Sequence, residues 1–399
     1  MNALTRRQAL TSAAAFGLSL NLLARTAYAA TSSRKLVFIN CRGAMDGLSV
    51  SPPIGDADYS ALRGGLAITD NALKLDSHFG LHPALASVYT LAQAGQARIA
   101  PAIATPDRAR SHFEAQDVLE SGAGGVYGAT SGWLNRAVGA LQSQGKFNAL
   151  SIGATAPLVL RGPAAVSSWS PGALVNPQAR LPSLLMDLYR DDPLLGPALA
   201  RGLETETMAQ DAMREDMTAA PPADLKAYAK QGQDAARKLG DTVAGFMKES
   251  GGPQIAAISL DGFDTHANQL GLIAARLGNL DAVIDGIQKG LGSEWPNTVV
   301  LVATEFGRTA RANGTGGTDH GTASTALILG GSLKRGGIIG DWPSLKGSAL
   351  FENRDLAPTL DMRALFKGVL ADQMGLDRKV LDTAVFPDSA SVAPVSSLV

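Results

Sequence analysis

Ile255-Ala256-Ala257-Ile258-Ser259-Leu260, followed at once by Asp261-Gly262-Phe263-Asp264-Thr265-His266, is the stretch on which the reading of this chain turns. A strand-like apolar run ends abruptly in carboxylates and an imidazole. The pattern recurs where Thr298-Val299-Val300-Leu301-Val302-Ala303 runs into Thr304-Glu305-Phe306-Gly307-Arg308-Thr309. In parallel α/β sheets, ligands and catalytic groups collect at the carboxyl ends of the strands. A third cluster, Gly317-Thr318-Asp319-His320-Gly321, lies close behind. The chain has five histidines, and two of them, His266 and His320, fall in these clusters. The pattern points to a hydrolytic metal site.

Outward from these segments, strand-like and helix-like stretches alternate. Strands are predicted at residues 35–40, 97–103, 148–153, 255–260, 298–303 and 325–329. Helices are predicted at 83–94, 111–121, 132–144, 268–291 and 355–370. Ser111 with Glu114 three residues later makes a capping-box pattern at one helix start. Alternating βα units argue for a mostly parallel sheet with helices on both faces. Residues 181–248 are rich in Ala, Leu, Met, Asp and Arg and read as a helical insertion over one side of the site, broken at Pro221-Pro222. One domain is expected over residues 30–386. The Ser/Ala/Val-rich residues 387–399 read as a flexible tail.

The chain is 45% hydrophobic and 18% charged, enough for a substantial core. Its 35 basic and 36 acidic residues leave a net charge of −1. That balance argues against nucleic acid as a partner, which needs a basic face. Cys41 is the only cysteine, so no intramolecular disulfide can form, and it reads as a small buried apolar residue. Residues 1–29 read as an export signal. Arg6-Arg7 precedes an apolar stretch at 13–24, and Ala27-Tyr28-Ala29 offers a cleavage site. The paired arginines point to the twin-arginine route. The apolar stretch is shorter than the roughly 20 residues of a spanning helix, so the membrane enters only through this signal. The expected location is periplasmic or secreted.

Asp46, in the turn after the first strand, reads as a metal ligand or as an ordinary Asp-Gly turn. Ser111 reads as a helix cap or as a nucleophile at the positive end of a helix, with Arg110 beside it as an anion grip. Asp264 and His266 are two apart and point the same way if the segment is extended. A carboxylate with an imidazole suits zinc, manganese or iron. Glu305 and Arg308 read as a metal ligand with an anion clamp, or as a structural ion pair. His320, in a loop of glycines and threonines, reads as a ligand or general acid–base group, with Asp319 orienting it. No nucleotide-binding glycine loop and no Gly-x-Ser-x-Gly elbow is present.

Taken together, these motifs resemble the bacterial domain-of-unknown-function family 1501. They are Arg42-Gly43-x-x-Asp46-Gly47, Arg110-Ser111-His112-Phe113-x-Ala115-Gln116-Asp117, Gly132-Trp133-Leu134-Asn135-Arg136, Phe263-Asp264-Thr265-His266-x-x-Gln269, Thr304–Thr309 and Gly317–Gly321. That family is similar to the alkaline phosphatase and sulfatase superfamily. The resemblance implies an α/β, alkaline-phosphatase-like three-layer sandwich with a divalent metal (zinc, manganese or calcium) at the strand ends. It implies Ser111 as nucleophile and Asp46, Asp264, His266, Glu305 and His320 as metal ligands; on that reading Arg308 or Arg110 is expected to stabilise charge on the transferred group as a catalytic cation. The substrate would be a small-molecule or polymer ester of phosphate or sulfate. Two departures stand out: Phe306 replaces a histidine that phosphatases use for a second metal, and no sulfatase Cys-x-Pro-x-Arg signature surrounds Ser111. The alternative expectation is a non-catalytic envelope protein, with envelope partners, that keeps the fold and part of the site.

Overall fold

The first strand, β1 (Lys35–Cys41), is buried along its whole length, and its side chains divide by parity. Val37, Ile39 and Cys41 belong to one apolar cluster, Leu36 and Phe38 to another. A strand covered on both faces is a central strand of a layered α/β domain. A computed structural model describes residues 34–143, 147–153, 156–170 and 225–399 in this form.

The strands are β1, β2 (Leu73–Lys74), β3 (Gly80–Leu81), β4 (Ala97–Ala104), β5 (Ala149–Ile152), β6 (Ser167–Trp169), β7 (Ile255–Leu260), β8 (Thr298–Ala303), β9 (Ser324–Leu329), β10 (Gly337–Ile338) and β11 (Leu360–Asp361). Nine of them form one sheet in the order β10-β4-β9-β8-β1-β7-β5-β6, with β11 also on β4, while β2 and β3 make a separate hairpin. Within the large sheet only the pairings of β9 are antiparallel. The remaining pairings are parallel.

One face is covered by the helices Ala86–Gln93, Leu225–Lys248 and Gln269–Leu291, through residues such as Val88, Phe246, Leu280 and Ile284. The two long helices approach closely because a Cβ at Gly240 or Gly286 would sit 2.2 Å from a backbone oxygen of the other helix. The opposite face is covered by the helices Trp133–Gln142 and Met362–Met374. There the Phe38 ring packs edge-on against Trp133 at 5.4 Å and Phe366 at 5.8 Å. The three-layer α/β sandwich with a mostly parallel sheet is therefore present.

Two local expectations change. The helix expected at 355–370 starts at Met362, not Asp355. Pro358 disfavours helix before it, residues 360–361 pair with β4, and the Asp361 carboxylate caps the helix by accepting the Arg363 N–H. The segment after Phe386, expected to be a flexible tail, is packed. Leu398 is buried, Val395 N–H donates to Ala364 O, and the buried Lys367 Nζ donates to Ser389 O and Val392 O. The expected insertion at 181–248 is described only as the Leu225–Lys248 helix, and residues 181–224 lie outside the described residues. The export signal expected at residues 1–29 also lies outside them. Cys41 is buried, as expected.

Candidate metal centre

The pairing directions place the carboxyl ends of β1, β4, β7 and β8 and the amino end of β9 along one edge of the sheet. Five chain segments leave or enter there, and each brings a polar group. The β1 loop turns sharply at Gly43 (φ +108°), where a Cβ would lie 2.6 Å from the Asp264 backbone nitrogen. The turn aims the Gly43 and Ala44 amides at Glu305 Oε1, at 2.8 and 3.1 Å. The loop after β4 enters the helix His112–Ser121, placing His112 at its first position. The loop after β7 carries Asp264 and His266, and the loop before β9 carries His320.

Asp264 is the focus. Its Oδ1 lies 2.9 Å from His266 Nε2 and 3.3 Å from His320 Nε2, and its Oδ2 lies 3.4 Å from His112 Nε2. One ligand atom each from His112, Asp264 and His320 falls within a 4.8 Å sphere of mutual distances. The Nε2 atoms of His266 and His320 are 3.0 Å apart.

The partners on the far side of each ring assign the tautomers. His320 Nδ1 lies 3.0 Å from Arg110 O, a carbonyl that can only accept, so Nδ1 carries the proton. His112 Nδ1 lies 2.8 Å from Glu305 Oε1, and His266 Nδ1 lies 3.5 Å from Asp319 Oδ1. Carboxylates behind Nδ1 favour Nδ1–H and leave Nε2 as a lone pair. All three Nε2 atoms face one carboxylate, an arrangement in which a bound cation would let each offer its lone pair. His112 Nε2 is buried and has no hydrogen-bond partner among the described residues. Three imidazole nitrogens and a carboxylate, each held from behind, are a donor set that fits a divalent transition metal or zinc. Calcium prefers an all-oxygen shell, so it fits this set poorly.

The neighbours shift His112, His320 and Asp264 in different directions. His112 is raised above the usual imidazole value, first by its hydrogen bond to Glu305, with burial opposing and the charges of Glu305 and Asp264 adding. His320 is lowered, chiefly by burial, against the Arg110 carbonyl bond. Burial works to raise Asp264, but the Arg308 hydrogen bond and charge, with His266 and His112, hold it below the ordinary carboxylate range.

Of the residues expected from sequence, Asp264, His266 and His320 converge here. Glu305 does not present a free oxygen. It is buried, its Oε1 accepts from Gly43, Ala44 and His112, and its Oε2 accepts from Thr304 Oγ1 at 2.9 Å. It orients His112 instead of sitting in the cluster. Asp46 is also buried, but it is ion-paired to Arg63 and accepts from Ser49 and Gln269, apart from the three histidines. Arg308 is a fully buried side chain whose donors go to Asp264 and Thr318, so it is committed and does not face an incoming anion. Arg110 turns its guanidinium to Asp355 and Glu352, and only its carbonyl reaches the cluster. Ser111 stands between Arg110 and His112 at the helix start, and its side chain makes no capping hydrogen bond. Phe306 stacks on His112 with ring centroids 5.0 Å apart and lies 5.1 Å from His320, filling the floor of the site with an apolar ring.

His112 was not among the expected ligands. Its signal was available: it sits in the Arg-Ser-His-Phe motif directly after a strand-end loop, in a chain with only five histidines. A cavity of about 780 Å³ opens beside the cluster, lined by His112, Asp264, Glu305, Arg42, Phe113 and Tyr127 among others.

Fold and cluster together define an α/β protein with a histidine-rich cluster, a candidate metal site, at the carboxyl edge of a mostly parallel sheet. The chain belongs to the family described as Protein of unknown function (DUF1501), whose model matches residues 33–385. No curated protein matches it by sequence. Similar solved structures include the C-terminal periplasmic domain of EcEptC from Escherichia coli in complex with zinc, at 10% identity and a TM-score of 0.36 over 89% of this chain and 86% of that one. Another is the lipoteichoic acid synthase LtaP from Listeria monocytogenes, at 9% identity and 0.35 over 90% and 76%. A third is a protein in the alkaline phosphatase superfamily from Vibrio parahaemolyticus, at 11% identity and 0.32 over 74% and 60%.

Proposed function

We propose that this protein is an exported, metal-dependent hydrolase of phosphate or sulfate esters. The observation that carries the proposal is the convergence of the His112, His266 and His320 Nε2 atoms on Asp264, next to a serine at a helix N-terminus. His112, Asp264, His266 and His320 would hold the cation. A divalent cation bound there would polarise the ester and lower the pKa of an adjacent alcohol or water. Ser111 Oγ would attack the phosphorus or sulfur centre, forming a seryl ester as the bond to the alcohol breaks and the serine proton passes to the departing alcohol. Water then cleaves that ester and restores the serine. The amides of the first turn of the His112–Ser121 helix favour the anionic oxygens of the transferred group. Glu305, the Arg110 carbonyl and Asp319 keep the imidazoles turned towards the centre. The paired arginines of the leader support export by the twin-arginine route to the periplasm or beyond. No helix among the described residues is long and apolar enough to cross a membrane.

A second reading, a non-catalytic envelope protein with one metal, is favoured by a specific observation. Asp46 is engaged by Arg63 and Phe306 stacks on His112, so among the described residues a second cation has no evident ligands beside the cluster. Elemental mass spectrometry of the exported protein, beside His266→Ala and His320→Ala, tests the centre. About one ion per chain, lost in both variants, is expected. A screen of aryl phosphates and sulfates with that metal then separates the readings. Turnover removed by Ser111→Ala supports the hydrolase, and a metal-loaded protein without turnover supports the second reading.

A further inference from the structure

Asp46 and Arg308 each depart from the role their sequence motif implies, and a continuous buried path joins them. Arg308 Nη1 donates to Asp264 Oδ1 at 2.7 Å, and Arg308 Nε donates to Thr318 Oγ1 at 3.2 Å. Thr318 Oγ1 donates to Gln269 Oε1 at 2.6 Å, and Gln269 Nε2 donates to Asp46 Oδ2 at 2.5 Å. Arg63 closes the far end as the ion-pair partner of Asp46. Asp46, Arg63, Gln269, Thr318 and Arg308 are all at most 1% exposed.

The direction of every bond is forced. A guanidinium only donates, so Thr318 must accept from Arg308 and spend its single proton on Gln269. Gln269 must then turn its oxygen to Thr318 and its amide nitrogen to Asp46, which only accepts. Gln269 Oε1 also accepts from Thr265 Oγ1 at 3.0 Å. Thr265 lies between Asp264 and His266, and Thr318 lies two residues before His320. One side-chain amide therefore ties together two of the three loops that carry cluster residues.

We infer that Gln269 and Thr318 are positioning residues of the centre, and that Asp46 is the anchor of this path. The inference rests on the metal reading of the cluster. Its consequence is that the Asp264 carboxylate keeps its orientation because Arg308 is itself held from behind. A glutamate at 269 would set two carboxylates against each other, and an asparagine would not span the gap.

The test compares Thr318→Val, of equal shape but without the hydroxyl, with Thr318→Ser, which keeps it. Zinc affinity is measured by calorimetry on the full chain, and imidazole ring-nitrogen resonances are recorded on the metal-free protein. Thr318→Val is expected to weaken zinc binding by about 10–100-fold and to move the His266 and His320 ring signals. Thr318→Ser is expected to restore both. If Thr318→Val does not fold, Gln269→Met takes its place, with the same expectation. Wild-type affinity with unmoved ring signals overturns the inference. If the wild-type chain binds no zinc, the metal reading fails separately, and the ring signals alone decide whether the path orients the cluster.

Discussion

His112 has both ring nitrogens turned to carboxylates: Nδ1 to Glu305, Nε2 to Asp264. Glu305→Gln keeps an acceptor for the Gly43 and Ala44 amides but removes the charge behind the ring. It is expected to weaken zinc binding by about 10–100-fold, measured by calorimetry, with folding unchanged. A different histidine governs stability against pH. Burial pushes the His82 imidazole down to about 4, with the Asp46 charge opposing. Between that value and the usual 6.5 the folded protein binds fewer protons than the unfolded chain. Stability from this residue is therefore present above 6.5 and is lost as pH falls towards 4, by about 2 kcal/mol between pH 7 and pH 5. His82→Asn keeps an acceptor for the Ala84 N–H and cannot titrate, so urea midpoints at the two pH values should lie closer together than in the wild type. An equal spread would count against the assignment.

At the scale of elements, the strand ends were the most legible part of the sequence. β7 and β8 span the residues that their apolar runs predict, because a fully buried parallel strand has to be apolar throughout. The start of the Met362–Met374 helix was less legible, since Asp355 is used by Arg110, Arg354 and Thr322, not as a cap. The β1 turn is the element on which the centre depends most directly. Gly43→Ala places a methyl group against the Asp264 backbone at a φ that favours glycine. It is expected to destabilise the protein by about 1–3 kcal/mol in urea unfolding and to abolish metal uptake. Normal uptake in a folded variant would show that the two strand-end loops move independently.

At the scale of the molecule, the chain end closes one face of the sandwich. Arg98 Nη1 donates to Ser397 O, Asp372 Oδ2 accepts from Leu398 N–H, and Lys367 Nζ lies among Asp382, Ser389 O and Val392 O. Removing residues 387–399 takes two carbonyl acceptors from a buried ammonium. It should lower stability by about 3 kcal/mol or more, seen as a fall of several degrees in Tm. An unchanged Tm would mean that the segment is dispensable packing. A Ser/Ala/Val-rich composition looked like a loose tail because local composition carries no record of a distant acceptor-poor lysine.

The sequence by itself determined the alternation of strands and helices, the family motifs and the polar strand ends, since periodicity and turn chemistry act over a few neighbouring residues. It also marked Asp264, His266 and His320 as a group. Tertiary structure alone decided that His112 joins them, that Glu305 stands behind it, and that Asp46 and Arg308 end a buried path. Those roles depend on contacts between residues 193 apart for His112 and Glu305 and 223 apart for Asp46 and Gln269. A carboxylate becomes a ligand or an anchor according to which donor the packed sheet edge brings within 3 Å, and no local pattern encodes that.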